Sequence, residues 1–209
     1  MRYYIRIPNR LSFLKNRTSQ VNLNLQAMKK NKISFESYFW AAERIKCPFK
    51  LVNAFYDYAN LHFYKHTLGE VIIYSHKRNI CMQDNPGQIF VFYTAMNSFL
   101  KACYCMKSKR KKWHVKKSDK CESNLLLASL TKEEYNNPFI VFEKAFAEKT
   151  PEEFEFFLGE IVHLSLSPCA EDYDFDKITP YLYLIKMLDA SQLIRERGVE
   201  KIKKTAQGE

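Results

Sequence analysis

Along most of this chain the apolar residues recur at intervals of three and four, the spacing that gathers them on one side of a helix. The strongest such stretch runs from Asp176 to Gly198. There Ile178, Tyr181, Leu182, Tyr183, Leu184, Ile185, Met187, Leu188, Leu193 and Ile194 cover most of a helical circumference. A helix apolar on so many sides belongs inside a protein. Lys186 and Asp189 interrupt it too early for a membrane span. Asp174, Asp176, or Thr179 followed by Pro180 supplies a start. Arg195 and Arg197 suit the negative end of the helix dipole, and Gly198 can take the left-handed backbone that ends it.

The same reading predicts further helices. Ser34 caps one that reaches Lys46, with Phe35, Tyr38, Phe39, Ala42 and Ile45 facing in. Pro48 opens a longer one that ends near Thr67-Leu68-Gly69. Its inward face is Leu51, Val52, Phe55, Tyr58, Ala59, His62, Phe63 and His66, and Leu61 and Tyr64 lie opposite. Asp84-Asn85-Pro86-Gly87 is a turn and helix start, and Ile89, Phe92, Tyr93, Met96, Phe99, Leu100 and Cys103 form one face after it. Thr131 starts a helix that Asn136-Asn137-Pro138 breaks, and Phe142, Ala145 and Phe146 face inward from the next. Thr150-Pro151-Glu152-Glu153 is a capping box with proline at the first position. The helix it opens carries Phe154, Phe157, Leu158, Ile161 and Leu164 on one face until Pro168.

These elements predict an all-α, single-domain irregular helical bundle. It has six or seven helices around a central C-terminal helix over roughly 177–197. A short β element is favoured near the N-terminus, at Tyr3 to Ile7 with a weaker hint in the alternation of Val21, Leu23 and Leu25, or at Val71-Ile72-Ile73-Tyr74. Residues 1–32 read as a basic, partly ordered arm and 33–209 as the helical domain. Five Gly and seven Pro are too few for a sandwich or barrel, whereas 16 Phe and 13 Tyr make an aromatic core.

Charge sharpens the picture. The formal net charge is +10, and no acid precedes Glu36. Residues 106–120 hold eight Lys or Arg and one acid, whereas 122–189 hold fourteen Asp or Glu and five Lys. Positive charge in patches favours nucleic acid or an acidic protein as partner. The opening residues lack the apolar run of a signal peptide, no segment offers ~20 consecutive apolar residues, and the six cysteines fit no disulfide framework. The expectation is a cytoplasmic protein with reduced thiols and no membrane span.

Candidate chemistry is sparse. The segment 106–120 reads as an exposed loop in which Lys107, Lys109, Arg110, Lys111, Lys112, Lys116, Lys117 and Lys120 surround Trp113 and His114. Lysines neutralise phosphates and an aromatic ring stacks on a base, so this is the candidate nucleic-acid contact. His62 and His66, one turn apart, are the candidate ligands for a divalent metal, although no H-E-x-x-H motif accompanies them. Cys103, Cys105, His114 and Cys121 match no usual zinc spacing. Glu160 and His163 form a single Glu-x-x-His unit, half of what a di-iron bundle needs. Phe156, Gly159 and His163 mark an outer face where another helix or a partner could pack. Asp189, among apolar neighbours, is expected to pair with Lys186. No Gly-rich phosphate loop or G-x-S-x-G is present. The helix from Pro151-Glu152-Glu153-Phe154 to Leu164-Ser165-Leu166-Ser167, followed by an apolar helix, resembles a pattern in uncharacterised all-helical bacterial proteins. That resemblance implies a helical fold and no particular activity. The expected function is a non-enzymatic binding or accessory protein. A metal-binding or catalytic protein built on His62 and His66, and a protein–protein module, are the alternatives.

Overall fold

A computed structural model of the chain describes residues 35–77, 86–109, 111–116, 127–167 and 175–202. The basic arm 1–32, Arg110, Lys117, Lys120, Cys121 and the acidic loop Glu171 to Asp174 lie outside the described residues. Those residues form an all-α bundle. After a 3₁₀ turn at Phe35–Phe39 come α1 (Pro48–Tyr58), α2 (Leu61–Lys77), α3 (Pro86–Lys107), β1 (Trp113–Val115), α4 (Lys132–Asn136), α5 (Phe139–Glu148), α6 (Pro151–Leu166), α7 (Ile178–Arg197) and β2 (Val199–Lys201).

The helix starts follow the local chemistry. Thr150 Oγ1 accepts from the Glu153 N–H at 3.2 Å, and Glu153 Oε2 accepts from the Thr150 N–H at 2.7 Å. Thr131 and Glu134 repeat that reciprocal box at α4. Asp176 Oδ1 accepts from the Thr179 N–H at 3.0 Å, so the aspartate rather than Thr179 tethers the first turn of α7. Gly198 ends α7 at φ +73°, where an L side chain is strained.

Two helices share the centre. α7 packs against α1, α2, α4 and α5, and α3 packs against α1, α5, α6 and the 3₁₀ turn. From Leu184 onward α7 buries Leu184, Met187, Leu188, Asp189, Ala190, Ser191, Leu193 and Ile194, but its first turns leave Ile178 and Leu182 60% and 54% exposed. α3 buries Phe92, Met96, Phe99, Leu100, Cys103 and Met106. Gly87–Lys107 is long and apolar enough by length and composition to cross a membrane, yet most of it is buried inside the bundle, as in a core helix. Phe55 of α1 is stacked between Tyr64 of α2 (3.7 Å between centroids) and Phe99 of α3 (4.7 Å). Three helices thus meet on one aromatic column.

Three expectations are corrected. The single long helix from Pro48 is two. Ala59 is extended at φ −151°, ψ 151°, and Asn60 Oδ1 accepts from the Phe63 N–H at 2.8 Å, capping a new helix. The break resets the helical phase. Leu61, Tyr64, Leu68 and Val71 turn inward, and His62 and His66 turn out to solvent. The second helix then runs through Gly69, so residues 71–74 are helical rather than a strand. The helix expected from Ser34 to Lys46 is a single 3₁₀ turn. Its three-residue period buries Ser37 and Trp40 and exposes Tyr38 and Phe39. Trp40 Nε1 donates to Ser98 Oγ at 3.2 Å, and Ser37 Oγ accepts from the Ile45 N–H at 3.3 Å, pinning the irregular segment to α3.

Candidate nucleic-acid interface

Among the described residues after α3, 108–109 and 111–116 are built into a turn and a strand. Residues of the turn bond to one another: Lys109 N–H donates to Met106 O, and Lys112 and Trp113 N–H both donate to Lys109 O. The chain then enters β1, which pairs antiparallel with β2 in the register Trp113 to Lys201, His114 to Glu200 and Val115 to Val199. Lys116 N–H to Gly198 O (3.2 Å) and Ile202 N–H to Lys112 O (2.9 Å) extend the ladder at both ends. β1 alternates apolar and polar residues as W-H-V, whereas β2 is V-E-K, with only Val199 apolar. Trp113 and Val115 are half-buried towards the bundle while His114 is exposed.

Trp113 anchors this ribbon. Its ring lies 5.3 Å from that of Phe49 at the start of α1, and Lys201 Nζ sits 5.6 Å from its centroid. Those neighbours occupy the ring, so Trp113 serves as an anchor and not as an open platform for a base. Lys111, Lys112 and Lys116 are exposed, and Lys109 is half-exposed. Lys107 turns back to the bundle, where Nζ donates to Phe146 O at 3.4 Å. Glu200 lies 3.5 Å from Lys116 Nζ and 3.6 Å from His114 Nε2, a partial neutralisation at the ribbon's centre. β2 and its Lys201 escaped sequence reading. Three residues with a single apolar position, Val199-Glu200-Lys201, carry no periodic signal that could have marked them.

The other candidates do not assemble with the ribbon. His62 and His66 are exposed on α2 with ring centroids 5.8 Å apart. Cys103 is buried and Cys105 half-buried on α3, and burial raises both thiol pKa values, which disfavours the thiolates zinc needs. His114 is on the ribbon, and among the described residues no three His, Cys, Asp or Glu side chains group as a metal site. Phe156 is half-exposed and meets Phe175 edge-on at 5.9 Å, and His163 is exposed. Gly159 is half-buried, and a Cβ there would lie 3.7 Å from the Tyr93 hydroxyl of α3.

Asp189 is fully buried, and its partners are not the expected one. Lys65 of α2 forms an ion pair with Oδ1, and Ser129 Oγ donates to Oδ2 at 2.5 Å. Lys186 reaches Glu134 of α4 instead, at 2.7 Å. These two pairs clamp α2, the 127–130 turn and α4 onto α7 and carry structure rather than chemistry. No protein-family model, curated protein or solved structure matches this chain.

Proposed function

We propose that this chain binds the phosphate backbone of nucleic acid through the lysine ribbon, without reading bases. One observation carries the reading: a strand pair fixed to the bundle by Trp113 holds Lys112, His114 and Lys116 at every second position on its exposed side. Residues two apart on a strand stand about 7 Å apart, so Lys112 and Lys116 flank His114 at a fixed spacing rather than as a mobile tangle. Lys201 pairs with Trp113 on the other face of the ribbon and does not belong to that row, and Glu200, opposite His114, is the one acid among residues 111–116 and 199–202. A fixed row of ammonium groups releases counterions from phosphates at little ordering cost.

Fluorescence anisotropy with duplex and single-stranded oligonucleotides across a salt series tests this. Lys112→Glu with Lys116→Glu should weaken binding at least about tenfold at low salt. It should also flatten the slope of log affinity against log salt by about 2, one unit per lost phosphate contact. Glu200→Gln should tighten binding. No binding by the wild-type chain at low salt, or identical slopes for wild type and the double variant, overturns the proposal.

A further inference from the structure

We propose that His62 and His66 chelate one divalent transition-metal ion of the zinc, nickel or copper(II) class on the solvent side of α2. Both side chains are exposed, one turn apart on a single helix, with ring planes within 20° of parallel and centroids 5.8 Å apart. An ion about 2.1 Å from one nitrogen of each ring lies about 3.2 Å from each centroid, and a tetrahedral angle then sets the centroids about 5 Å apart. The stacked, near-parallel rings do not yet aim at one ion, so both exposed side chains turn about their torsions to direct one nitrogen each at it, with no backbone movement. Glu70, one turn further on, places Oε2 3.4 Å from His66 Nδ1. A carboxylate there holds the proton on Nδ1 and presents Nε2 to the ion, the usual orienting partner of a metal-bound histidine. Two imidazole nitrogens select borderline metals. Magnesium and calcium take oxygen ligands and are passed over. With two protein ligands, the remaining coordination positions belong to water, so the site is open to an external ligand.

Isothermal titration of the full chain with Zn²⁺ at pH 7.5, repeated with Mg²⁺, tests the proposal. One zinc ion should bind saturably, and Mg²⁺ should not. His62→Ala and His66→Ala should each weaken zinc binding at least about tenfold, and Glu70→Gln by about tenfold through loss of orientation. All three substitutions are at the surface, and circular dichroism checks that they fold. Zinc affinity unchanged in His62→Ala places the ion elsewhere, on the cysteines for example, and overturns the proposal. So does the absence of saturable zinc binding, or equal binding of Mg²⁺.

Discussion

Asp189 shows how a single residue is decided by its neighbours in space. Lys186 lies three positions earlier, a spacing that favours a pair in an isolated helix by only a few tenths of a kcal/mol. In the bundle, Glu134 draws Lys186 away, and Lys65 and Ser129 converge on Asp189. The sequence shows a charge on an apolar helix but not which helix supplies the countercharge, because that depends on how the helices cross. A buried carboxylate left without its cation is expensive, whereas an apolar pair of similar size in its place is tolerated. Lys65→Met should therefore lower the stability measured by urea unfolding by about 3 kcal/mol. The double variant Lys65→Met/Asp189→Leu should recover most of that loss. If the two substitutions prove additive, the pair is not coupled and the clamp is not what holds α2 to α7.

At the scale of elements, legibility followed locality. The Thr150–Glu153 box and the helix start at Thr131 were legible because every group they use lies within four residues, although the box that Thr131 forms with Glu134 was not itself read. The α1–α2 break was missed. The apolar period runs smoothly past residue 60, and only the small Asn60 cap and the Phe55–Tyr64 stack reveal the reset of phase. The ribbon was missed because three-residue strands carry almost no periodic signal, and β1 finds its partner at the far end of the sequence. The lysines of the candidate site were thus legible, but their fixed geometry was not. Gly198 is where that geometry is most exposed to test. It joins α7 to β2 at φ +73° and ψ 171°, a conformation that is nearly exclusive to glycine. Gly198→Ala should cost about 1–3 kcal/mol locally. The amide protons of Lys116 and Ile202, which close the ladder, should then exchange with solvent faster, while those of α6 keep their protection. Unchanged protection at Lys116 and Ile202 would show that the ribbon does not depend on this joint.

Over the whole molecule, buried carboxylates answer acid in opposite senses. Burial works against ionisation of Glu134, but the Lys186 ammonium, the Thr131 N–H and Lys144 outweigh it and hold its carboxyl below the ordinary 4.5. Burial also raises Glu155, whose carboxyl lies 3.5 Å from Lys101 Nζ. That cation does not offset burial together with the nearby Glu36 and Glu152, so the carboxyl stays above 4.5. A depressed carboxyl stabilises the fold fully above its unfolded value, and that contribution is lost as the pH falls through the lower folded value. A raised carboxyl is a cost at neutral pH, and that cost disappears once the pH is below the unfolded value. Glu134→Gln should accordingly lower stability at pH 7 by about 2 kcal/mol, the scale of a hydrogen bond to a charged group. The gap to wild type should close as the pH falls below 4.5. Glu155→Gln should be neutral or stabilising at pH 7 by less than about 1 kcal/mol, since partial exposure screens the charge. That difference should vanish as the pH falls below 4.5. Protonating the acidic stretch 122–189 also raises the net charge above its neutral-pH value of +10, so self-repulsion compounds the loss of the Glu134 pair. Urea midpoints at pH 7, 5 and 3.5, each at low and high salt, separate these effects. Salt should restore stability only at the acid end, and the two glutamine variants should depart from wild type in opposite directions at pH 7. A shift of both in the same direction would mean that burial, and not the lysine partners, governs Glu134 as well.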